Sequence, residues 1–412
     1  MKLHFKQVLK IKNYIILFKL LLSYSSTLLF NIVFSPLIFF ILISKKKFDI
    51  KFGSFYASRI GSLSEMEVFL ALQKKRKTIN VLSFDKPVAN IFLFKMFSRE
   101  INFFFPNYFV KKMDQALKFF SRSTKFSWSF GQLSFFPNYK ILLNTDINIK
   151  FTQEEIEKGK KMIRELGIKE KNKWICVHNR DDAYLKFKNP TYDYSYHSFR
   201  DFEISTMNKA IMKFIENGLT VVRVGSKQKQ KINLKHEKLI DYPFYSKRND
   251  FLDIFLLSHC EFCVGSDSGI ITIPFIFRKP VYRINYGLGH LDALTYCYPW
   301  PLITKKIFDL EKNKYLNLKE IFNRGIDKFD RTEQFDNYNL KLIPNSEDEI
   351  RNLSLEINSR YNKTWQDNPE DVELQKKFWI TYKKMYNKRF MGNIEPKIGT
   401  SFLRNNQYLL EQ

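Results

Sequence analysis

An α/β fold is what this sequence predicts: two Rossmann-like domains facing a cleft, with an N-terminal apolar helix and C-terminal helices. Three observations carry that reading. The chain has 412 residues, more than one hydrophobic core ordinarily gathers. Beyond Lys47, short apolar runs alternate with stretches of helical periodicity, the pattern of parallel strands covered on both faces. The alternation comes in two series joined near residues 150–172. The expected organisation is therefore 1–47, 48–168, 169–340 and 341–412.

The elements follow in order. Residues 20–43, LLLSYSSTLLFNIVFSPLIFFILI, carry no charge and, at about 1.5 Å per residue, could cross a bilayer core. Lys12, Lys19, Ser23 and Ser26 recur along one helical stripe, Pro36 interrupts the second half, and lysines flank both ends. That symmetry favours a helix lying in the membrane interface over a span or a merely buried helix. The apolar stretch ends in lysines rather than a small-residue cleavage site, which argues against a signal peptide. FDIKFGSFYA then reads as a strand, RIGSL as a glycine turn, SEMEVFLALQKKR as a Ser-capped helix and INVLSF as a second strand. Helical runs follow near 88–98 and 110–121, and residues 122–150 are irregular and aromatic. TQEEIEKGKKMIRELGI carries a Thr-x-x-Glu capping box and stops at Gly167.

The second series begins with the strand WICVHN and a polar loop to about residue 200. A helix over 203–217 closes on Gly218 and LTVVRVG is the next strand. FLDIFLLSH is a helix, EFCVG a strand, GIITIPFIF a helix and PVYRIN a strand. Helical segments near 346–361 and 369–387 precede a polar, mobile end after 392.

Composition narrows the partners. Lys and Arg number 68 against 42 acidic residues, a net charge of +26 that favours polyanions, an anionic leaflet or phosphorylated ligands. The excess is spread along the chain without an RNA-reading signature, zinc-finger spacing or basic zipper, so nucleic acid is not an expected partner. Four cysteines make no disulfide framework. Cys176 sits in an apolar strand and Cys297 is isolated, while Cys260 and Cys263 form a C-x-x-C without a second pair, which reads as core in a reducing cytoplasm.

The candidate chemistry lies at strand ends. EFCVGSDSGIITIPF leaves a strand through Gly265, Ser266, Asp267, Ser268 and Gly269 and enters a helix. In open parallel sheets that carboxyl edge is where ligands bind. The glycines allow close backbone approach, and the serines and Asp267 can cap the helix, whose free N–H groups suit a phosphate. Asp267 would repel a bare phosphate, so capping or gripping a hydroxyl suits it better. A tight turn without a ligand explains the segment equally well. WICVHNRDDAYL adds His178, Arg180, Asp181, Asp182 and Tyr184 off the end of another strand, and VVRVGSK adds Arg223 and Gly225. Arginine forks grip diphosphate oxygens, whereas a lone Arg-Asp-Asp run is a solvated turn. Three such strand ends together favour a nucleotide-diphosphate site. The loop DYSYHSFRDF contributes His197 and Arg200. No Asp-x-Asp occurs, so no metal-held diphosphate is expected and no cofactor beyond the nucleotide-sugar co-substrate. Neither a Ser-His-Asp order, a P-loop nor His-Glu-x-x-His is present.

At these residues the sequence resembles a family of bacterial glycosyltransferases associated with surface-polysaccharide synthesis. The matching elements are RIGSLSEMEVFL, VHNRDDAYL, HSFRD, GLTVVRVG, DFLDIFLLSHCEFCVGSDSGIITIP and KPVYRIN, over roughly residues 50–390. The resemblance implies the two-Rossmann GT-B fold, with acceptor domain first and nucleotide-sugar domain second. More distantly the chain is similar to GT-B fucosyltransferases, which have a His-x-Arg strand end and a leucine-Asp-x-x-x-leucine…Ser element like 252–268. That likeness implies that Arg180 contacts the donor's β-phosphate, that Ser266 to Gly269 lie beside the diphosphate, and that transfer inverts. Ser62 stands where the family is expected to carry His. The expectation is a metal-independent hexosyl- or deoxyhexosyltransferase on the cytoplasmic face of the inner membrane. It would use a nucleotide-sugar donor and a glycan or lipid-linked acceptor. Asp181, Asp182 or His197 would serve as general base. Two rival readings are a non-catalytic, membrane-docked nucleotide-sugar-binding protein and a basic nucleic-acid binder.

Overall fold

The computed structural model describes residues 22–44, 49–73, 78–101, 106–123, 125–128, 140–169, 171–287, 299–385 and 395–411. Lys12, Lys19, Lys45 to Lys47, Cys297 and most of the aromatic stretch before residue 140 lie outside them. The fold is α/β. Its largest sheet holds six parallel strands: β3 (Trp174–His178), β4 (Thr220–Arg223), β5 (Leu239–Asp241), β6 (Cys263–Gly265), β7 (Val281–Tyr286) and β8 (Leu302–Thr304). Their order is β5-β4-β3-β6-β7-β8. The chain moves outward from β3 to β5, then crosses back and continues on the other side of β3 from β6. Strand order thus reverses between β3 and β6, where a doubly wound sheet leaves a crevice at its carboxyl edge.

The apolar run WICV explains why β3 sits in the middle. Ile175 and Val177 face one layer and Cys176 the other, as period-2 alternation requires, and all three are buried. On the first face lie the helices Asn208–Glu216, Glu347–Tyr361 and Pro369–Met385, through Phe214, Ile357 and Trp379. On the second lie the helices Asp250–His259 and Thr272–Ile276. The helix Gln153–Glu165, whose Thr152 capping box forms, joins this layer. Its Gly159 packs so closely that a Cβ there would stand 2.0 Å from the Phe255 ring.

Preceding these elements, β1 (Asp49–Phe55) and β2 (Thr78–Phe84) pair in parallel from Asp49↔Thr78 to Phe55↔Phe84. Phe126–Trp128 lies along the other side of β1, with Trp128 N donating to Phe52 O at 2.8 Å. Leu63, Met66 and Phe69 from this unit share one apolar cluster with Cys176, Val222 and Ile271 of the large sheet's second face. The two parallel units are therefore joined by a continuous core. A small antiparallel sheet, ordered β10-β9-β11, is formed by β9 (Lys306–Asp309), β10 (Lys314–Tyr315) and β11 (Leu340–Ile343).

The apolar stretch breaks at Pro36 as the sequence expects, and two other expectations are corrected here. The N-terminal apolar stretch is a pair of helices, Leu22–Val33 and Ser35–Ser44, bent by 65°. The break falls just ahead of Pro36, whose ring and missing N–H are tolerated only in a first turn. The helix expected over 269–277 is a 3-10 turn, Gly269–Ile271, followed by only five helical residues, Thr272–Ile276. The tail expected to be mobile is docked: Leu302 N donates to Lys397 O at 2.9 Å, Gly399 N donates to Leu302 O at 2.7 Å, and Phe402, Leu403 and Leu409 are buried. Their apolar spacing, LRNNQYLL after Phe402, is hidden in the sequence by polar neighbours.

Candidate functional site

The register of the sheet decides what meets at its carboxyl edge. His178 pairs with Gly265, and Val177 with Arg223, so the ends of β4, β3 and β6 are immediate neighbours. His178 is buried, and Val224 O, 3.0 Å from its Nδ1, fixes the proton on that nitrogen. Burial, with Arg223 and Arg180 nearby, pushes its pKa down to about 4, despite the hydrogen bond to Val224. Its Nε2 is thereby a neutral acceptor, buried and without a protein partner. Beside it, the Ser266 hydroxyl is fully buried and equally unpartnered.

Arg180, next beyond β3, turns toward the loop expected to carry His197 and Arg200. That loop is a 3-10 turn, Ser195–Arg200. Arg180 pairs with Asp201 and donates to His197 O at 3.1 Å. Lys305, at the end of β8, grips the same turn from the other side, donating to Phe199 O and Asp201 O at 2.8 Å each. Lys305 is 2% exposed, and burial lowers its ammonium to about 8. On the turn these two cations grip, the buried Nε of Arg200 has no hydrogen-bond partner among the described residues. Burial and then Arg180 lower it to about 10. His197 is half-buried with an unpartnered Nδ1. Burial, then Arg200, Arg180, Arg59 and Arg331, push it down to about 3. Four guanidinium groups thus act on one imidazole.

Arg59 comes from the other unit. It precedes the short helix Ile60–Ser64, is exposed, and its side chain has no hydrogen-bond partner among the described residues. What brings it here is a backbone contact between two glycine turns. A Cβ on Gly269 would stand 2.9 Å from Gly61 N, and one on Gly61 would stand 3.0 Å from Gly269 Cα. Only glycine at both positions lets RIGSL and GSDSG touch. Ser64 and Thr272 hydroxyls, 2.7 Å apart, and a Lys188 donation to Ser58 O at 3.0 Å hold the same seam. The site is walled by both units.

Several residues picked out by sequence have other work. Arg223 is fully buried and saturated: it donates to Asn179 Oδ1, Gln228 Oε1, Gln230 O and Asp241, so its fork is closed to a diphosphate. Its single strand-end position gave no hint of that enclosure. Gly225, at φ +146, serves the turn that folds Gln228 back over it. Asp181 accepts from Ala183 N and Lys229 N, tethering two loops. Asp182 is paired with Lys186 and Lys229; although burial pushes its carboxyl up, those two hydrogen bonds hold it below the usual range. Both carboxylates are engaged by neighbouring N–H or ammonium groups. Tyr184 is half-buried on the helix Ala183–Lys188, 5.4 Å beneath the Lys188 ammonium. Asp267 pairs with Arg283 at 3.0 Å rather than capping a helix, and Ser268 makes no side-chain cap. The sequence reading passed over Arg59, Lys305 and Arg331. Lys305 was findable, because it stands just past a strand as Arg180 does; Arg59 and Arg331 reach the site only through tertiary contacts.

Among the described residues no group of three or more His, Cys, Asp or Glu side chains is placed to hold a metal ion. The site is a cation-lined edge with unpartnered polar atoms.

Two solved glycosyltransferases resemble part of this chain. One is the glycosyl transferase family 9 protein from Veillonella parvula DSM 2008, with TM-score 0.36 and 11% identity over 57% of this chain and 79% of that one. The other is the dodecameric iron-containing heptosyltransferase TibC in complex with ADP-D-beta-D-heptose, with TM-score 0.32 and 12% identity over 59% of this chain and 60% of that one. The sequence matches no protein-family model and no curated protein. At so loose a superposition the fold rests on the chain's own strand order, and the activity on the site's own chemistry.

Proposed function

We propose that this protein is a glycosyltransferase that moves a sugar from a nucleotide-diphosphate donor to a glycan or lipid-linked acceptor hydroxyl without a metal ion. The observation that supports it best is the set of cations around His197, at the reversal point of a parallel sheet, beside the unpartnered Ser266 hydroxyl and His178 Nε2. A diphosphate placed there would meet Arg200 and Arg59, whose donors are uncommitted, while Arg180 and Lys305 hold the turn that presents them. As the bond from the sugar's anomeric carbon to the phosphate oxygen breaks, negative charge grows on that oxygen, and preorganised guanidinium groups stabilise it more than they stabilise the intact donor. The acceptor oxygen bonds to the anomeric carbon and gives up its proton. His197 is the group placed to take it: a bound diphosphate offsets the arginines and raises its pKa from about 3 toward a useful base. Direct displacement of this kind inverts the anomeric centre.

The engagement of Asp181 and Asp182 favours one second reading, a nucleotide-sugar-binding protein without turnover. Incubation of the full chain with UDP-, GDP- and ADP-sugars and a bacterial lipid extract separates the two. The enzyme reading expects release of nucleoside diphosphate that falls at least about a hundredfold in His197→Ala. Binding of a nucleotide sugar without any release would establish the second reading instead.

A further inference from the structure

The bent helices at the start of the chain present an apolar surface that the catalytic reading does not use. Leu28, Leu29, Ile32, Val33, Phe39 and Phe40 are each at least 55% exposed there. Among the described residues no single helix is long and apolar enough to cross a membrane. The described arms measure about 18 and about 15 Å and meet at a 65° bend. Their inner side is committed, since Phe30, Ile38 and Ile41 are buried against Val110, Met113 and Leu117 of the helix Asn107–Ser121. The pair therefore lies along the protein.

The helix beneath continues the surface. Tyr108, Lys111, Gln115, Phe119 and Arg122 recur three or four residues apart and are exposed, Phe119 at 74%. Tyr108 stands edge-on to Phe30 at 6.3 Å, and Lys112, on the flank of that stripe, donates to Ser26 and Thr27, so the arms and the stripe adjoin. The charge on this face has one sign. Residues 22–44 contain no acidic side chain, and Asp114 of the underlying helix is engaged by Lys118 and Ser127. The hydroxyls of Ser25, Ser26, Thr27 and Ser44 donate to carbonyls of their own arms, and that of Ser35 to Ile32 O of the other arm. Aliphatic arms beside a stripe of aromatic and basic residues are the composition of an element that lies in a bilayer interface.

We infer that Leu22–Ser44 and the exposed stripe of Asn107–Ser121 together seat this protein in the plane of an anionic phospholipid leaflet. Flotation of the full chain with phosphatidylcholine vesicles, with and without phosphatidylglycerol, tests it. The protein should float with the mixed vesicles and bind the neutral ones more weakly. Leu29→Glu and Phe119→Glu, on different helices, should each lower the bound fraction at least about tenfold. Both side chains are exposed, so unchanged melting temperature and helicity identify a binding defect rather than a folding one. No flotation, or flotation indifferent to Phe119→Glu, overturns the inference. So does a stable dimer that Leu29→Glu dissociates, since the face would then meet a second copy.

Discussion

Arg200 and Arg223 are both arginines the sequence singles out, yet they have opposite roles because only one has an unpartnered donor. Arg200→Ala should leave the melting temperature within a few degrees while removing the stabilisation that a bound nucleoside diphosphate confers, measurable by thermal shift. Arg223→Ala should cost about 3–5 kcal/mol in chemical denaturation, since it strands Asp241 and Asn179 beneath the sheet edge. The buried histidines give a pH signature. In the folded chain His178 and His197 titrate at about 4 and about 3, below the unfolded value of 6.5. Their contribution is therefore intact above pH 6.5 and is lost as acid is added, because the unfolded chain takes up protons that the folded one refuses. For His178 that loss reaches about 3 kcal/mol by pH 4. The drop in melting temperature from pH 7 to pH 5 should accordingly be smaller in His178→Gln than in the parent. At this scale the sequence was half legible: strand-end position pointed to Arg180 and the loop composition to His197 and Arg200, but whether a guanidinium is saturated is a property of its neighbours.

Among elements, the GSDSG turn is where local pattern and tertiary structure diverge. Glycine, serine and aspartate after a strand signalled a capped helix, but Asp267 is drawn to Arg283 and the helix shrinks to five residues. The glycines are needed for contact with a second turn some 200 residues away, RIGSL, which periodicity cannot reveal. Gly269→Ala should push the two turns apart by a few tenths of an ångström or more, costing about 1–3 kcal/mol. It should also weaken nucleotide-diphosphate binding, because Arg59 would move with its turn; calorimetry of the variant checks both. Four large-sheet strands were readable, in WICVHN, LTVVRVG, EFCVG and PVYRIN, whereas β5 and β8 are three-residue strands too short to signal themselves. Their order was not, since strand order depends on where each crossover helix finds its apolar partner.

At the scale of the whole molecule, the two parallel units share a core and the chain's end closes the far edge of the large sheet. Composition foresaw the α/β class and the two series but described residues after 392 as loose, because alternating polar residues hide Phe402, Leu403 and Leu409. Ending the chain at residue 394 should uncover β8 and Leu353 and lower the melting temperature by several degrees, with aggregation on heating measurable by light scattering. The same architecture makes the strand ends the place where both units contribute charge, and the whole functional reading stands on that meeting. Isothermal titration of the full chain with UDP, GDP, ADP and inorganic pyrophosphate probes it most directly. At least one nucleoside diphosphate should bind, with affinity reduced at least about tenfold in both Arg200→Ala and Arg59→Ala, one variant from each unit. Absence of binding by all four, or binding that neither substitution weakens, would contradict the account.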